Sequence, residues 1–468
     1  MTSFPYVGFF NDEITGARAV TYQGDNHLLT VGPPGTGKSS GLHIPNLALL
    51  NRSILAIDPK GELAATTAQH RAKFGRVVVL NPFGVLVDRL PFMRSNGYNP
   101  LSVLDHTSPN FVDNAKALAR GIVKVEGNEP HWSRGGQTFV SALIMHICKT
   151  QGAAANLGSL RELLTQTRGH YIENGAPIPT GLDKTIIEML SSDFPAIRQK
   201  AGKFKKDNQE IASIISAAEG QCDFLDSPPI VQDLSSTNHL NFSDMRRNIV
   251  TIYLVLPFDQ MKTHSNWLRL VVASALNSLS NFSDVAGGSR VMFMLDEFAN
   301  LGYMEDIETA MAAARGFRIQ LWPCVQCVGQ LQTLYGNNWE IFLGGAGFHN
   351  YFTPRTMITA EYISRRCGEQ EVTKTTRNTD HQGKTGRGFH SQKEPLYSPT
   401  RLMGLPVRQT IAFREYLDNP MFFEVPHYRD QRLTWCRSLP PPPDDVAALP
   451  YGRAQLVSTI GQRLRSRP

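Results

Sequence analysis

The stretch Gly32-Pro-Pro-Gly-Thr-Gly-Lys38-Ser39 constrains this chain more than any other. It fits G-x-x-x-x-G-K-[ST], with the apolar run His27-Leu-Leu-Thr-Val31 before it and a helix-compatible segment after it. A strand that enters such a turn and a helix that leaves it let successive backbone N–H groups point inward at phosphate oxygens. The helix N-terminus adds its dipole. Lys38 is then the cation for the β and γ oxygens of a nucleotide, and the Ser39 hydroxyl a ligand in a Mg²⁺ shell. The expected nucleotide-binding set is Gly32, Pro33, Pro34, Gly35, Thr36, Gly37, Lys38, Ser39 and Ser40, with ATP and Mg²⁺ as the ligands.

Strand-sized apolar runs follow at Ser53–Asp58 and Arg76–Asn81, each separated by a helix length, and this β-α-β rhythm requires a parallel sheet. From about Asn99 to Asn241 the rhythm stops. Phe111–Val125, Gly136–Thr150, Leu157–Thr165 and Asp183–Leu190 show helical spacing, and no strand is expected there. Buried-strand runs resume at Asn248–Leu256, Val291–Leu295, Arg318–Val325, Gly347–Thr353 and Gln409–Tyr416. The expected fold is α/β: a RecA-like P-loop domain from residues 1–98 and 242–438, its central sheet mostly parallel, with an all-α domain inserted at 99–241. A stiff Leu439-Pro-Pro-Pro-Pro-Asp-Asp445 linker and basic tail complete residues 439–468.

Val291-Met-Phe-Met-Leu-Asp296-Glu297 supplies what a phosphate loop lacks. Five apolar residues make a central strand, and the two acids fall at its end, on the rim where ligands of parallel sheets bind. Asp296 is placed to hold Mg²⁺, and Glu297 to orient and deprotonate an attacking water. A glutamate in second place argues for hydrolysis, because phosphate transfer to a substrate needs no water activator. Gln326, ending the next strand, reads as a γ-phosphate sensor or as an amide serving its own loop. Arg315 reads as an arginine finger or as a dipole-complementing residue at a helix C-terminus. Asp58-Pro59 reads as an N-cap followed by Pro at the first helical position, which leaves Lys60 and Glu62 unexplained. Cys324-x-x-Cys327 has no second pair at zinc spacing, so buried thiols are expected.

The net charge of +6 is local. Arg365 to Arg401 holds eight basic residues against four acids, and the tail from Ala447 holds four arginines and no acid, which leaves the remaining body at −2. The Lys374–Lys393 loop and the Arg453–Arg467 tail are candidate phosphate grips, with Phe389 suited to stacking on an exposed base of single-stranded DNA. Neither offers a helix or ribbon patterned for groove readout. The run Arg198, Lys200, Lys203, Lys205 and Lys206 is a solvated helix face or a DNA entry surface. Six dispersed cysteines fit a reducing compartment, no apolar stretch reaches the ~18 residues of a bilayer span, and the chain reads as soluble and cytosolic.

Taken together, these motifs resemble the VirD4/TraG family of type IV secretion coupling ATPases over roughly residues 20–430. The phosphate loop is followed in family order by Asp58-Pro-Lys-Gly-Glu62, Tyr98-Asn-Pro-Leu101, His131-Trp132, Leu295-Asp-Glu-Phe-Ala-Asn-Leu-Gly302, Ala314-Arg-Gly-Phe-Arg318 and Gln326…Gln330-Leu. The resemblance implies a hexameric ring that couples ATP hydrolysis to moving DNA, or relaxase-type protein linked to it, into a secretion channel at the cytoplasmic face of the inner membrane. Two features depart from the family. The motor strand begins by residue 28, so no transmembrane anchor is expected and peripheral membrane association takes its place, and Asn81-Pro-Phe stands where Asp-Pro is common. A protein-substrate adaptor ATPase that does not grip DNA, and a nucleotide-gated assembly factor that is no motor, are the alternatives.

Overall fold

A computed structural model describes residues 2–12, 16–125, 130–206, 208–238, 240–281, 289–379, 385–417 and 419–443, with the side chains of 12, 314, 315, 376–379 and 385–388 outside that description. The chain forms two compact units, one built on Leu50–Leu321 and the other on Thr2–Leu49 with Trp322–Arg437.

In the Leu50–Leu321 unit, four parallel strands stand in the order Val291–Leu295, Ile54–Asp58, Val250–Val255, Arg76–Leu80. The first three bury every residue, as continuous Val, Ile, Leu and Met runs require when a parallel sheet is covered on both faces. Parallel register brings Ile57 beside Leu295 and Asp58 beside Val255, so Asp58 and Asp296 leave the sheet at the same edge. The intervening sequence is mainly helical, with Phe111–Ile122, Pro130–Gln151, Leu157–Leu164, Gly181–Leu190, Pro195–Phe204, Gln209–Gln221 and Pro228–Leu234.

The all-helical expectation for residues 99–241 fails at one place. Arg168–Glu173 and Ala176–Thr180 pair as an antiparallel hairpin around Asn174 (φ +52°) and Gly175 (φ +78°). Asn-Gly is the pair that a two-residue primed turn demands, so the signal was present, but Pro177 and Pro179 mask the strand pattern beside it. The departure at Asn81 also has a local reason. Its amide donates to Val85 O (3.0 Å) and Met93 O (2.9 Å) and accepts from Val85 N–H (2.9 Å). An ionised Asp there could not donate to either carbonyl.

The second unit holds a mixed sheet in the order Gly16–Thr21, Tyr6–Asp12, Met421–Glu424, Gln409–Arg414, Ala346–Phe352, His27–Val31, closed by Cys324 and Val325 pairing with Thr30 and Val31. His27–Val31 is parallel to both of its neighbours, whereas Gln409–Arg414 runs antiparallel to Ala346–Phe352. From this sheet core Trp322 donates its indole N–H to Thr30 Oγ1 (2.9 Å) and meets the His43 ring edge-on, and His43 Nε2 lies 3.2 Å from Cys324 Sγ.

The basic segment expected as a loop is a ribbon. Glu369–Thr379 and Thr385–Pro395 pair antiparallel over eleven residues each, with Thr375 opposite Phe389 and Glu371 opposite Lys393. Four threonines, Thr373, Thr375, Thr376 and Thr379, carry strand propensity that a charge count overlooks. The described ribbon residues are almost all solvent-facing, and Phe389 is 70% exposed. Lys384 and the Arg453–Arg467 tail lie outside the described residues. Among described residues, no helix is long and apolar enough to cross a membrane.

Candidate nucleotide site

In the second unit the phosphate loop leaves a fully buried strand. Gly32 N–H donates to Val325 O (2.9 Å), and a Cβ on Gly32 would stand 2.9 Å from Phe352 Cβ, so no side chain fits there. Gly35 and Gly37 take left-handed φ values of +78° and +96°, which curls the loop. Thr36 Oγ1 donates to Pro33 O (2.8 Å). Lys38, only 6% exposed, lies within the curl and donates to Gly32 O (2.6 Å) and Pro33 O (3.3 Å). The expected helix opens as a wide turn over Ser39–His43 and becomes α-helical at Ile44–Leu49. This turn is seated tightly, since a Cβ on Gly41 would come within 2.5 Å of Val425 Cγ1. A curled run of N–H groups with a buried ammonium at its end is a fit for phosphate.

Gln326 directly follows the neighbouring strand Ile319–Val325, and its backbone N–H donates to Gln330 Oε1 (2.8 Å). Arg408 immediately precedes Gln409–Arg414, and no sequence motif marks it. Its Nη2 donates to Ser40 Oγ (3.1 Å), and its Nη1 stands 2.8 Å from where a Cβ on Gly37 would be.

In the Leu50–Leu321 unit, Asp296 follows its buried strand and is 6% exposed. Glu297 adopts a left-handed conformation (φ +50°, ψ +43°) that a glutamate rarely takes, and its N–H is received by Asp296 Oδ1 (3.1 Å). The turn continues into Phe298–Leu301 and is fixed by Arg269, whose guanidinium donates to Leu301 O and Tyr303 O (both 2.7 Å). Strain of this kind is held in place by its surroundings and aims a side chain off the sheet.

Asp58 is buried and accepts from Ala64 N–H (2.9 Å) through Oδ2. The helix it serves begins at Glu62, with Gly61 at the cap in left-handed geometry, so Pro59 lies outside the helix rather than at its first position. The Pro59-Lys60-Gly61 turn lets the carboxylate cap from farther upstream than the sequence suggests. Burial pushes the Asp58 carboxyl up to about 7, with Glu62 and Asp296 adding repulsion. Burial also raises Glu62, Lys60 partly counters that, and Asp296 again adds to it. Lys60 and Glu62, unexplained by capping, thus belong to the electrostatics of the acidic rim.

The raised Asp58 pKa gives a sign. Its contribution to stability is full below the unfolded value near 3.8 and is lost as pH rises through about 7. Asp58→Asn keeps an acceptor for Ala64 N–H and should flatten the fall in denaturation midpoint between pH 4 and pH 7.5. An unchanged pH profile in the Asn variant would refute a neutral Asp58.

Arg315 lies in the single turn Ala314–Phe317 after helix Glu305–Ala313, and its side chain is outside the description. Cys324 is buried as expected, whereas Cys327 is only partly buried, because it stands at the cap of helix Val328–Tyr335. Among the described residues no group of three or more His, Cys, Asp and Glu side chains could hold a metal ion.

A family described as type IV secretory system conjugative DNA transfer matches residues 10–438. The conjugal transfer protein TraG of Escherichia coli is 25% identical over 424 residues, covering 86% of this chain and 65% of its own. The type IV secretion system-coupling protein VirD4 of Bartonella quintana is 24% identical over 399 residues, covering 81% of this chain and 59% of its own. The chain thus spans less than two thirds of either relative. Among solved structures, the bacterial conjugative coupling protein TrwBdeltaN70 superposes with a TM-score of 0.61 at 16% identity, covering 86% of this chain and 85% of its own. The plasmid coupling protein TrwB in complex with ADP and Mg²⁺ gives 0.61 at 15% identity, with 86% of each chain covered. These likenesses establish a shared RecA-like fold.

Proposed function

Since the chain belongs to the type IV secretory system conjugative DNA transfer family, we propose that it is an ATP-hydrolysing coupling motor that drives DNA, or a DNA-linked relaxase-type protein, into a secretion channel. Residues 1–98 and 242–438 serve as the motor domain, 99–241 as the inserted helical domain and 439–468 as linker and tail. The phosphate loop, Gly32 to Ser40, holds the nucleotide phosphates, with Lys38 as their cation. Ser39 and Asp296 would hold Mg²⁺, which when bound would supply charge neutralisation for the nucleotide phosphates. Glu297 takes the proton of the attacking water, Gln326 senses the γ-phosphate, and Arg315 acts as a finger toward a neighbouring subunit of a homo-hexamer. The protein works at the cytoplasmic face of the inner membrane, in contact with components of the channel.

The observation that carries the hydrolytic reading is the Glu297 turn. A non-glycine residue held left-handed directly after a buried strand, beside Asp296, is a costly way to place a carboxylate unless the carboxylate has work to do. Steady-state ATP hydrolysis with and without single-stranded DNA tests the proposal. Stimulation by DNA is expected of the motor. Hydrolysis indifferent to DNA would favour the protein-substrate adaptor, and absence of multiple turnover would favour the nucleotide-gated switch.

The ribbon gives a second test. Each phosphate neutralised on a single strand contributes ~0.7 to the log–log dependence of affinity on salt, so replacing Lys384 and Arg387 together should lower that slope by about 1.4. Base sequence should matter little, because stacking on Phe389 tolerates any base. A slope unchanged in the double variant would show that the ribbon's charge serves a partner other than DNA.

A further inference from the structure

We propose that Arg408 is a second cation of the phosphate loop and binds the α-phosphate of the nucleotide. The inference rests on the nucleotide reading above and adds a ligand contact to it.

Topology explains why this arginine reaches the loop. Gln409–Arg414 runs antiparallel to Ala346–Phe352, which is itself parallel to His27–Val31. The start of an antiparallel strand therefore lies at the same sheet edge as the end of the loop's own strand. Arg408 occupies that start in a left-handed conformation (φ +69°), held by Val425 N–H donating to its carbonyl (2.7 Å) and by Gln409 N–H donating to Pro406 O (3.1 Å).

The guanidinium then spans the loop from Gly37 to Ser40. Nη2 donates to Ser40 Oγ (3.1 Å) and Nη1 to Val425 O (3.4 Å), and Nη1 also fills the space that a Cβ on Gly37 would need. Gly37 is thus required twice, by its own φ and by the arginine. Among the described residues Arg408 makes no ion pair, and both of its acceptors are neutral oxygens. A largely buried guanidinium without a carboxylate is costly, and an anion is the partner that relieves it. Burial alone lowers its pKa, with no acidic neighbour opposing the shift.

Position along the loop selects the phosphate. The lysine of such a loop reaches toward the β and γ oxygens, while the backbone groups at the loop's end cradle the α and β phosphates. Arg408 stands over that end, at Ser40, two residues past Lys38. Its fork supplies two parallel donors of the kind that match phosphate oxygens.

The test compares Arg408→Gly, Arg408→Gln and the parent full-length chain for binding of MgATP, MgADP and inorganic pyrophosphate. Glycine accepts φ +69° without strain, so Arg408→Gly removes the guanidinium and leaves the backbone at ease. Arg408→Gln keeps amide donors without charge. Losing a charge-assisted contact should weaken ATP and ADP by the same factor, roughly ten- to a hundredfold, in both variants. Pyrophosphate, which fills only the β and γ seats, should bind as to the parent. Parent-like affinity for ATP and ADP in both variants would make Arg408 a brace for Ser40 and overturn the assignment. Loss confined to ATP would move the contact to the γ-phosphate and also overturn it. A parent chain that binds no nucleotide would instead remove the nucleotide reading on which this inference stands.

Discussion

Lys38→Ala is expected to abolish nucleotide binding, whereas Glu297→Gln should hold ATP and fail to turn it over. The lysine ammonium is buried inside the curl of the loop, its donors on Gly32 O and Pro33 O, so its removal takes away the cation that closes the loop. Charge-assisted hydrogen bonds contribute about 1.5–3 kcal/mol each, so loss of contacts to two phosphates lowers affinity by at least roughly a hundredfold. Glu297→Gln keeps the size and the left-handed backbone of the original residue but cannot accept a proton. General-base catalysis is worth about 10²–10⁴ in rate, and that factor should vanish from kcat with ATP affinity intact. Equilibrium ATP binding measured beside steady-state hydrolysis separates the two roles. An equal loss of ATP affinity in both variants would sink this division.

Arg246→Met is expected to be the most destabilising conservative change in the Leu50–Leu321 unit. Arg246 is 2% exposed and donates to Ser289 O (3.1 Å), Arg318 O (3.0 Å), Leu279 O (3.3 Å) and Phe317 O. Burial, with a smaller contribution from the Arg318 charge, lowers its pKa to about 10. Methionine fills much of the same volume but takes a donor from four carbonyls, of which Arg318 O keeps the N–H of Val291 (3.1 Å). Buried acceptors left unmatched cost about 1–3 kcal/mol each, and partial relaxation brings the expected total to roughly 3–5 kcal/mol. At roughly 2–4 °C per kcal/mol, the thermal midpoint should fall by roughly 6–20 °C. Two of those carbonyls, on Phe317 and Arg318, belong to the turn that carries Arg315 and to the left-handed residue after it. If Arg315 serves hydrolysis, the variant should lose turnover beyond what its folded fraction explains while still binding ATP. A midpoint within a degree or two of the parent would mean that water replaces the guanidinium.

Much of this protein was legible from the chain alone, and the reasons are local. A phosphate loop is a run of backbone conformations dictated by glycine and a neighbouring strand, and the left-handed Gly35 and Gly37 follow from residue identity. Strands such as Val291–Leu295 and Val250–Val255 announce themselves because burial on both faces requires unbroken apolar side chains. Helices such as Phe111–Ile122 and Leu157–Leu164 begin where the 3.6-residue spacing places them. The ribbon at Glu369–Thr379 escaped because it buries neither face, so no alternation of apolar and polar residues marks it. The pair Tyr6–Asp12 with Gly16–Thr21 escaped because its second strand is largely exposed.

What the sequence determined by itself is therefore whatever depends on neighbours within one turn or one strand: the phosphate loop, the Asp296-Glu297 pair at a strand end, and the alternation of strand and helix that requires a parallel sheet. Tertiary structure alone decided the matters that depend on distant residues meeting. It brought Arg408 onto Ser40, 368 residues away in sequence. It set Glu62 and Asp296 close enough to Asp58 to help raise its pKa and Asp296 close enough to do the same to Glu62, and it gave Arg246 its carbonyls on three separate segments. The physical reason is that backbone conformation answers to adjacent side chains, whereas burial, electrostatic coupling and the pairing of polar groups answer to strand order and direction, which no local pattern encodes.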